Sequence, residues 1–171
     1  MQMVIKLLGT ILVALVAIVV FAPKRELYYA LEHEWERSGI VIADETITEG
    51  PNSLKVEHAR LLYQGAPIAT VDRAIVRTWL VFSILEIEGI KPLPGMEKLL
   101  PITLDKARAT HVLWYPTIVT LELNGSFGQA EGELDLLQRR LKLKSPDAGK
   151  VEAIRPYLKN DEGSWIYEYR F

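Results

Sequence analysis

The chain has 171 residues, no cysteine and a formal charge of −2. Without cysteine it can form neither a disulfide framework nor a thiolate zinc site. Acidic and basic residues are interspersed, with no basic run or stripe, which excludes the electropositive footprint of a nucleic-acid binder.

Residues 3–22 read MVIKLLGTILVALVAIVVFA and are uncharged from Leu7 to Ala22. Twenty helical residues span about 30 Å, the thickness of a bilayer core. The sequence therefore predicts a single membrane anchor within residues 1–25, with Leu7, Leu8, Ile11, Leu12, Leu15, Ile18 and Val19 meeting lipid. Lys6 lies near one end, where its stem reaches the headgroups, and Pro23, Lys24 and Arg25 stop the segment. A cleaved signal peptide would have a shorter apolar stretch and a small-residue cleavage site, whereas Val20-Phe21-Ala22 carries a bulky Phe and precedes Pro23. A buried soluble helix would be apolar on one stripe rather than all round. Lys6 and the amino terminus on one flank face Lys24 and Arg25 on the other, so charge alone does not set the orientation.

Residues 26–171 are predicted to form one domain, mainly β. The stretch 26–38 reads as a short helix, with Leu27, Leu31 and Trp35 on one face and Gly39 as its stop. Short β-branched runs follow at Ile40-Val41-Ile42 and around Ile47, then a breaker at Gly50-Pro51-Asn52. In residues 54–63 the apolar positions change parity, from Leu54 and Val56 to Ala59, Leu61 and Tyr63, which predicts a bulge or strong twist near His58. Gln64-Gly65 predicts a tight turn into a strand over 67–76. Residues 79–90 are strongly apolar and end at Pro92, Pro94 and Gly95.

Further strands are expected over 102–112 and 117–123. Asn124-Gly125 is the strongest hairpin signal in the chain, leading into 127–136. Leu141 and Leu143 mark another strand, residues 147–158 a second short helix, and 164–171 a closing strand in which Trp165, Tyr167, Tyr169 and Phe171 alternate. Seven to nine strands joined by short turns predict an antiparallel meander. The closing aromatic alternation also fits the last strand of a small outer-membrane barrel, a lesser alternative that requires lipid-facing alternation in every strand.

No catalytic constellation emerges. His33, His58 and His111 have no ligand-spaced neighbour, no serine sits in a G-x-S-x-G elbow, and no phosphate-binding glycine loop occurs. Asp44-Glu45 and Asp161-Glu162 lie in turn-like stretches and read as solvated loop charges. No enzyme activity, metal or cofactor is expected.

The order of features is nonetheless distinctive. LYYALEHEWERSGIVIADETI follows the anchor, then SLKVEHARLLYQGAPIATVDRAIV, later GELDLLQRRLKLKSP with Gly132, Asp135, Arg139 and Leu141, and finally WIYEYRF. This resembles the type II secretion system protein N family and, more broadly, AsmA-like periplasmic proteins. The resemblance implies an inner-membrane helix, a periplasmic domain built on a curved antiparallel sheet or open half-barrel, and a role in secretion or envelope transport.

The leading expectation is thus a membrane-anchored periplasmic scaffold with envelope or secretion proteins and membrane lipid as partners. The alternative is a carrier that shelters lipid or acyl chains on an apolar sheet face, for which Leu80, Phe82, Ile84, Val119, Leu121 and Leu123 are the candidate lining.

Overall fold

The computed structural model describes residues 28–29, 32–33, 36–37, 39–97, 101–147, 155, 158–161 and 164–170. Leu7, Leu8, Ile11, Leu12, Leu15, Ile18 and Val19 of the expected anchor lie outside these residues, as does nearly all of the helix expected over 147–158. Of the helix expected over 26–38, the described residues are Tyr28, Tyr29, Glu32, His33, Glu36 and Arg37, and these carry helical backbone. No helix among them is long and apolar enough to cross a membrane.

Among the described residues eleven strands form one sheet. They are β1 (Ile40–Ala43), β2 (Thr46–Gly50), β3 (Ser53–Tyr63), β4 (Ala66–Thr78), β5 (Phe82–Pro92), β6 (Leu104–Val112), β7 (Ile118–Gly125), β8 (Gly128–Asp135), β9 (Arg140–Ser145), β10 (Lys159–Asp161) and β11 (Ser164–Arg170). Every pairing is antiparallel, in the order β1-β3-β4-β5-β6-β7-β8-β9-β11-β10, with β2 beside β1 on the outer edge of β3. The sheet is open, its edges being β1 and β2 at one side and β10 at the other. The closure that the barrel alternative requires is therefore missing from the described sheet. Strand β10, which sequence reading did not foresee, is three residues long and pairs only with β11.

Register sorts the side chains onto two unlike faces, because residues opposite one another across a ladder point the same way. One row runs Leu54, Val76, Leu85, Ala109, Leu121, Gly132, Leu143, Tyr167 across eight strands. The next row out of phase runs Thr48, Lys55, Ile75, Glu86, Arg108, Glu122, Glu131, Lys144, Ile166. One face is apolar and the other charged. Charges on the second face mostly alternate in sign. Arg73 pairs with Glu88, Arg77 with Glu86, and Lys55 lies 2.9 Å from Glu57.

The apolar face is kept on one side by a crease. In four successive strands the apolar positions resume after three residues instead of two: Val56 and Ala59, Val71 and Ala74, Ile87 and Ile90, Leu104 and Ala107. Strict alternation would put each such pair on opposite faces. Val56, Ala59 and Val71 instead share one buried cluster, packed with Ala74, Ile87 and Ile90. The reversal is made at His58, with φ of 57°, and at Gly89, with φ of 69°. The same line meets the sheet edge at Asp44, also left-handed, where β1 gives way to β2. The parity change expected near His58 is thus one point on a line that crosses the sheet as far as β6, where the register against β7 also shifts.

Tyr28 packs against the same cluster. Burial, and then the Glu45 and Glu32 carboxylates, keep its hydroxyl protonated far above the usual range. Gln64 and Gly65 form the expected tight turn, both at positive φ. The Asn124-Gly125 hairpin forms, but Ser126 and Phe127 make the turn and Gly128 takes the positive φ of 85°. The shift follows from burial of Phe127 and from Ser126, whose N–H donates to the Thr103 carbonyl at 3.0 Å.

At Gly89 a Cβ would overlap the Asp72 carboxylate, which Lys91 holds at 2.9 Å. Gly89→Ala is expected to destabilise the fold by about 2 kcal/mol or more, since left-handed backbone alone costs roughly 1–2 kcal/mol for a residue with a Cβ. The midpoint of urea unfolding measures it.

Arg77, hydrogen-bonded to Glu86, and then Arg108, with Nε 3.9 Å away, hold the Glu86 carboxyl below its ordinary range. A carboxyl depressed in the folded chain adds stability above its unfolded value, and that stability is lost as pH falls through the folded value. Glu86→Gln is expected to cost less than about 1 kcal/mol at neutral pH, in keeping with a partly solvated pair. It is also expected to flatten the fall of stability with acidification below the unfolded glutamate value of 4.5. Urea titrations across that range read both effects.

Candidate apolar binding site

The apolar face carries few fully buried side chains. Only seven apolar residues among the described ones are buried, and three of these are alanines. A sheet with a second layer packed over it would hide far more. Leu85, Ile87, Leu121, Leu123 and Leu143 on this face are half-buried.

On this face, at the end carrying the β7–β8 turn, lies a cavity of about 420 Å³. Its floor is built from rows of the sheet: Leu104 on β6, Leu123 on β7, Ala130 on β8, Leu143 and Ser145 on β9, and Trp165 and Tyr167 on β11. Phe127 from the turn, Ile102 from the approach to β6 and Leu158 before β10 close its sides. Phe127 and Ala130 form the buried centre of this group, with Ile102, Leu104, Leu123, Leu158 and Trp165 packed around them.

Ser145 is the one buried polar residue among the described ones, and its Oγ accepts from the Asp147 N–H at 3.3 Å. Polar groups are otherwise nearly absent from the lining, so the cavity suits an apolar guest and offers little to water. The volume falls within the range of small-molecule pockets, about 300–1,000 Å³. At its border the Arg155 guanidinium lies over the Trp165 ring, 5.8 Å from the centroid. A cation therefore sits beside an apolar hollow.

The sequence-predicted lining divides between places. Val119, Leu121 and Leu123 share the apolar face, and Leu123 lines the cavity. Phe82 and Ile84 fall on the charged face, opposite Val112 and Thr110, and Leu80 lies in the turn before β5. The members of that apolar run on the cavity side of the sheet are Leu85, Ile87 and Ile90. The strand begins after the turn at 79–81, and its parity reverses at Gly89, which run hydrophobicity alone does not reveal. Phe127, Leu143 and Leu158 carried no signal as a lining. Trp165 and Tyr167, which alternate in the sequence, both line the cavity.

The three histidines have different surroundings. His33 sits 3.6 Å from Glu36, His58 is at the crease, and His111 Nε2 lies 3.1 Å from the Pro116 carbonyl.

Phe127→Ala is expected to cost about 3 kcal/mol, the low end for a buried phenylalanine, because the adjoining cavity already leaves one side of the ring unpacked. Chemical denaturation of the two proteins gives the difference. Comparison with protein-family models, curated proteins and solved structures gives no match.

Proposed function

We propose that this protein is a membrane-tethered carrier or receptor for acyl chains, held on the apolar face of its open sheet. The observation that carries the reading is the 420 Å³ cavity, lined almost wholly by apolar side chains and bordered by Arg155. An acyl chain would fill the hollow, and an anionic headgroup would meet the guanidinium. Residues 3–22 would tether the domain to the membrane that supplies the ligand, with the domain in the periplasm. The resemblance to AsmA-like and type II secretion protein N chains points the same way.

A second reading is an envelope scaffold. It is favoured by the open edges of the described sheet, β1 and β2 at one side and β10 at the other, since an edge strand can accept strand addition.

The full chain in lipid nanodiscs, supplied with a photoactivatable fatty acid, tests the first reading. Crosslinks are expected on Phe127, Leu143 and Trp165. Leu143→Trp, which enlarges a half-buried side chain on the cavity floor, is expected to cut labelling there by about tenfold, the loss that corresponds to 1.4 kcal/mol. Labelling confined to residues 3–22, or indifferent to Leu143→Trp in a protein with an unchanged β-type circular dichroism spectrum, would overturn it.

A further inference from the structure

The end of the sheet opposite the cavity is an exposed apolar rim. Strands β4 and β5, β6 and β7, and β8 and β9 are joined there by turns at 79–81, 113–117 and 136–139. These turns present Trp79, Leu113, Trp114, Tyr115, Leu136 and Leu137, with Trp114 68% and Leu137 79% exposed. Tyr169, opposite Leu141 near the end of β11, extends the row. At the other end, among the described strand and turn residues, Tyr63 is the only large apolar side chain with comparable exposure.

Backbone hydrogen bonds join the turns into one edge. The Leu113 N–H donates to the Val81 carbonyl at 2.9 Å, and the Leu136 N–H to the Thr117 carbonyl at 2.8 Å. The Thr78 N–H donates to the Asn52 carbonyl at 2.9 Å, adding the β2–β3 turn. The Trp79 and Phe82 rings lie 6.1 Å apart.

We propose that this rim docks into the interfacial layer of a lipid bilayer. Three observations select lipid as the occupant. The side chains are Trp, Tyr and Leu on projecting turns, the residues that settle at the boundary between headgroups and acyl chains. Arg139, Arg140 and Arg170 gather at the same end, where Arg140 stands between Arg170 and Asp135 across the ladder, and Asp135 accepts the Gln138 N–H at 2.8 Å. That basic group matches anionic headgroups.

The third observation is the path of the chain. Gly39 lies at the far end beside Gln64, but Tyr28 packs against the cluster of Val56, Ala59 and Val71, of which Val56 is three residues along β3 from the rim end. Five residues separate Tyr28 from Ala22 in the sequence, and a stretch of that length spans up to roughly 20 Å when extended. Rim and anchor would then share one membrane. This inference makes no use of the cavity, so it stands or falls independently of ligand carriage.

The cysteine-free sequence allows single nitroxide labels to be placed cleanly. Leu137→Cys and Trp114→Cys probe the rim, and Glu97→Cys, exposed in the β5–β6 connection, is the control. The full chain is reconstituted in vesicles of phosphatidylethanolamine and phosphatidylglycerol. Collision with oxygen and with a water-soluble nickel chelate is then read by electron paramagnetic resonance. The rim labels are expected to lie roughly 5–10 Å into the headgroup and acyl boundary, rich in oxygen collisions and shielded from nickel, with the control label open to nickel. Rim labels as open to nickel as the control would overturn the proposal. Shielding from both reagents would also overturn it, since that signals a protein partner in place of lipid. Both rim positions are mostly exposed, and circular dichroism of each labelled protein verifies the fold.

Discussion

One constraint governs this molecule: a single hydrogen-bonded sheet has two faces, and only one of them is apolar. Antiparallel pairing fixes the register, and the register places Leu54, Val76, Leu85, Ala109, Leu121 and Leu143 in one line. A sheet of this kind normally buries such a face under a second layer. Among the described residues outside the strands, Tyr28 packs on the first cluster, while Ile102, Phe127 and Leu158 pack on the second. The small number of buried residues, the open cavity and the half-exposed leucines all follow from that shortage of cover.

The crease is what makes so long a one-sided surface compatible with the sequence. Left-handed residues at Asp44, His58 and Gly89 let the chain skip a position, so apolar side chains three apart still point the same way. Gly89 does this in the middle of the sheet because the Asp72 side chain occupies the space a Cβ would need. Bulges of this sort bend and twist the strand that bears them. On the opposite face, Glu122 and Glu131 lie directly across from each other, a repulsive pairing. Arg108 and Lys144 stand next along the same row and offset it. That face is solvated by composition and needs no cover.

The two ends of the sheet differ in chemistry. One holds a hollow closed by Phe127, Ile102 and Leu158, with Arg155 at its border. The other carries tryptophan, tyrosine and leucine on turns stitched by backbone hydrogen bonds, with arginines beside them. In the functional reading proposed above, the rim meets the bilayer and the hollow receives a chain drawn from it. The apolar rows of the sheet lie between them. Catalysis plays no part in that reading, which asks only for apolar area, a tether and a cation.

Much of this was legible in the residues themselves. Alternation and turn chemistry identified the strands, because a half-buried strand must repeat every two residues and a tight turn must use residues that tolerate positive φ, as Gln64 and Gly65 do. The parity change around His58 was visible for the same reason. Three things were decided only by the tertiary structure. Asn124-Gly125 marked a hairpin, but burial of Phe127 moved its turn by two residues. Hydrophobicity marked 79–90 as one apolar stretch, but the turn at 79–81 and the left-handed Gly89 determined that Leu85, Ile87 and Ile90, not Phe82 and Ile84, lie on the cavity side. The cavity and the rim each gather residues from strands and turns distant in sequence. Local pattern sets which side of its own strand a residue takes, and only pairing between strands sets what stands beside it.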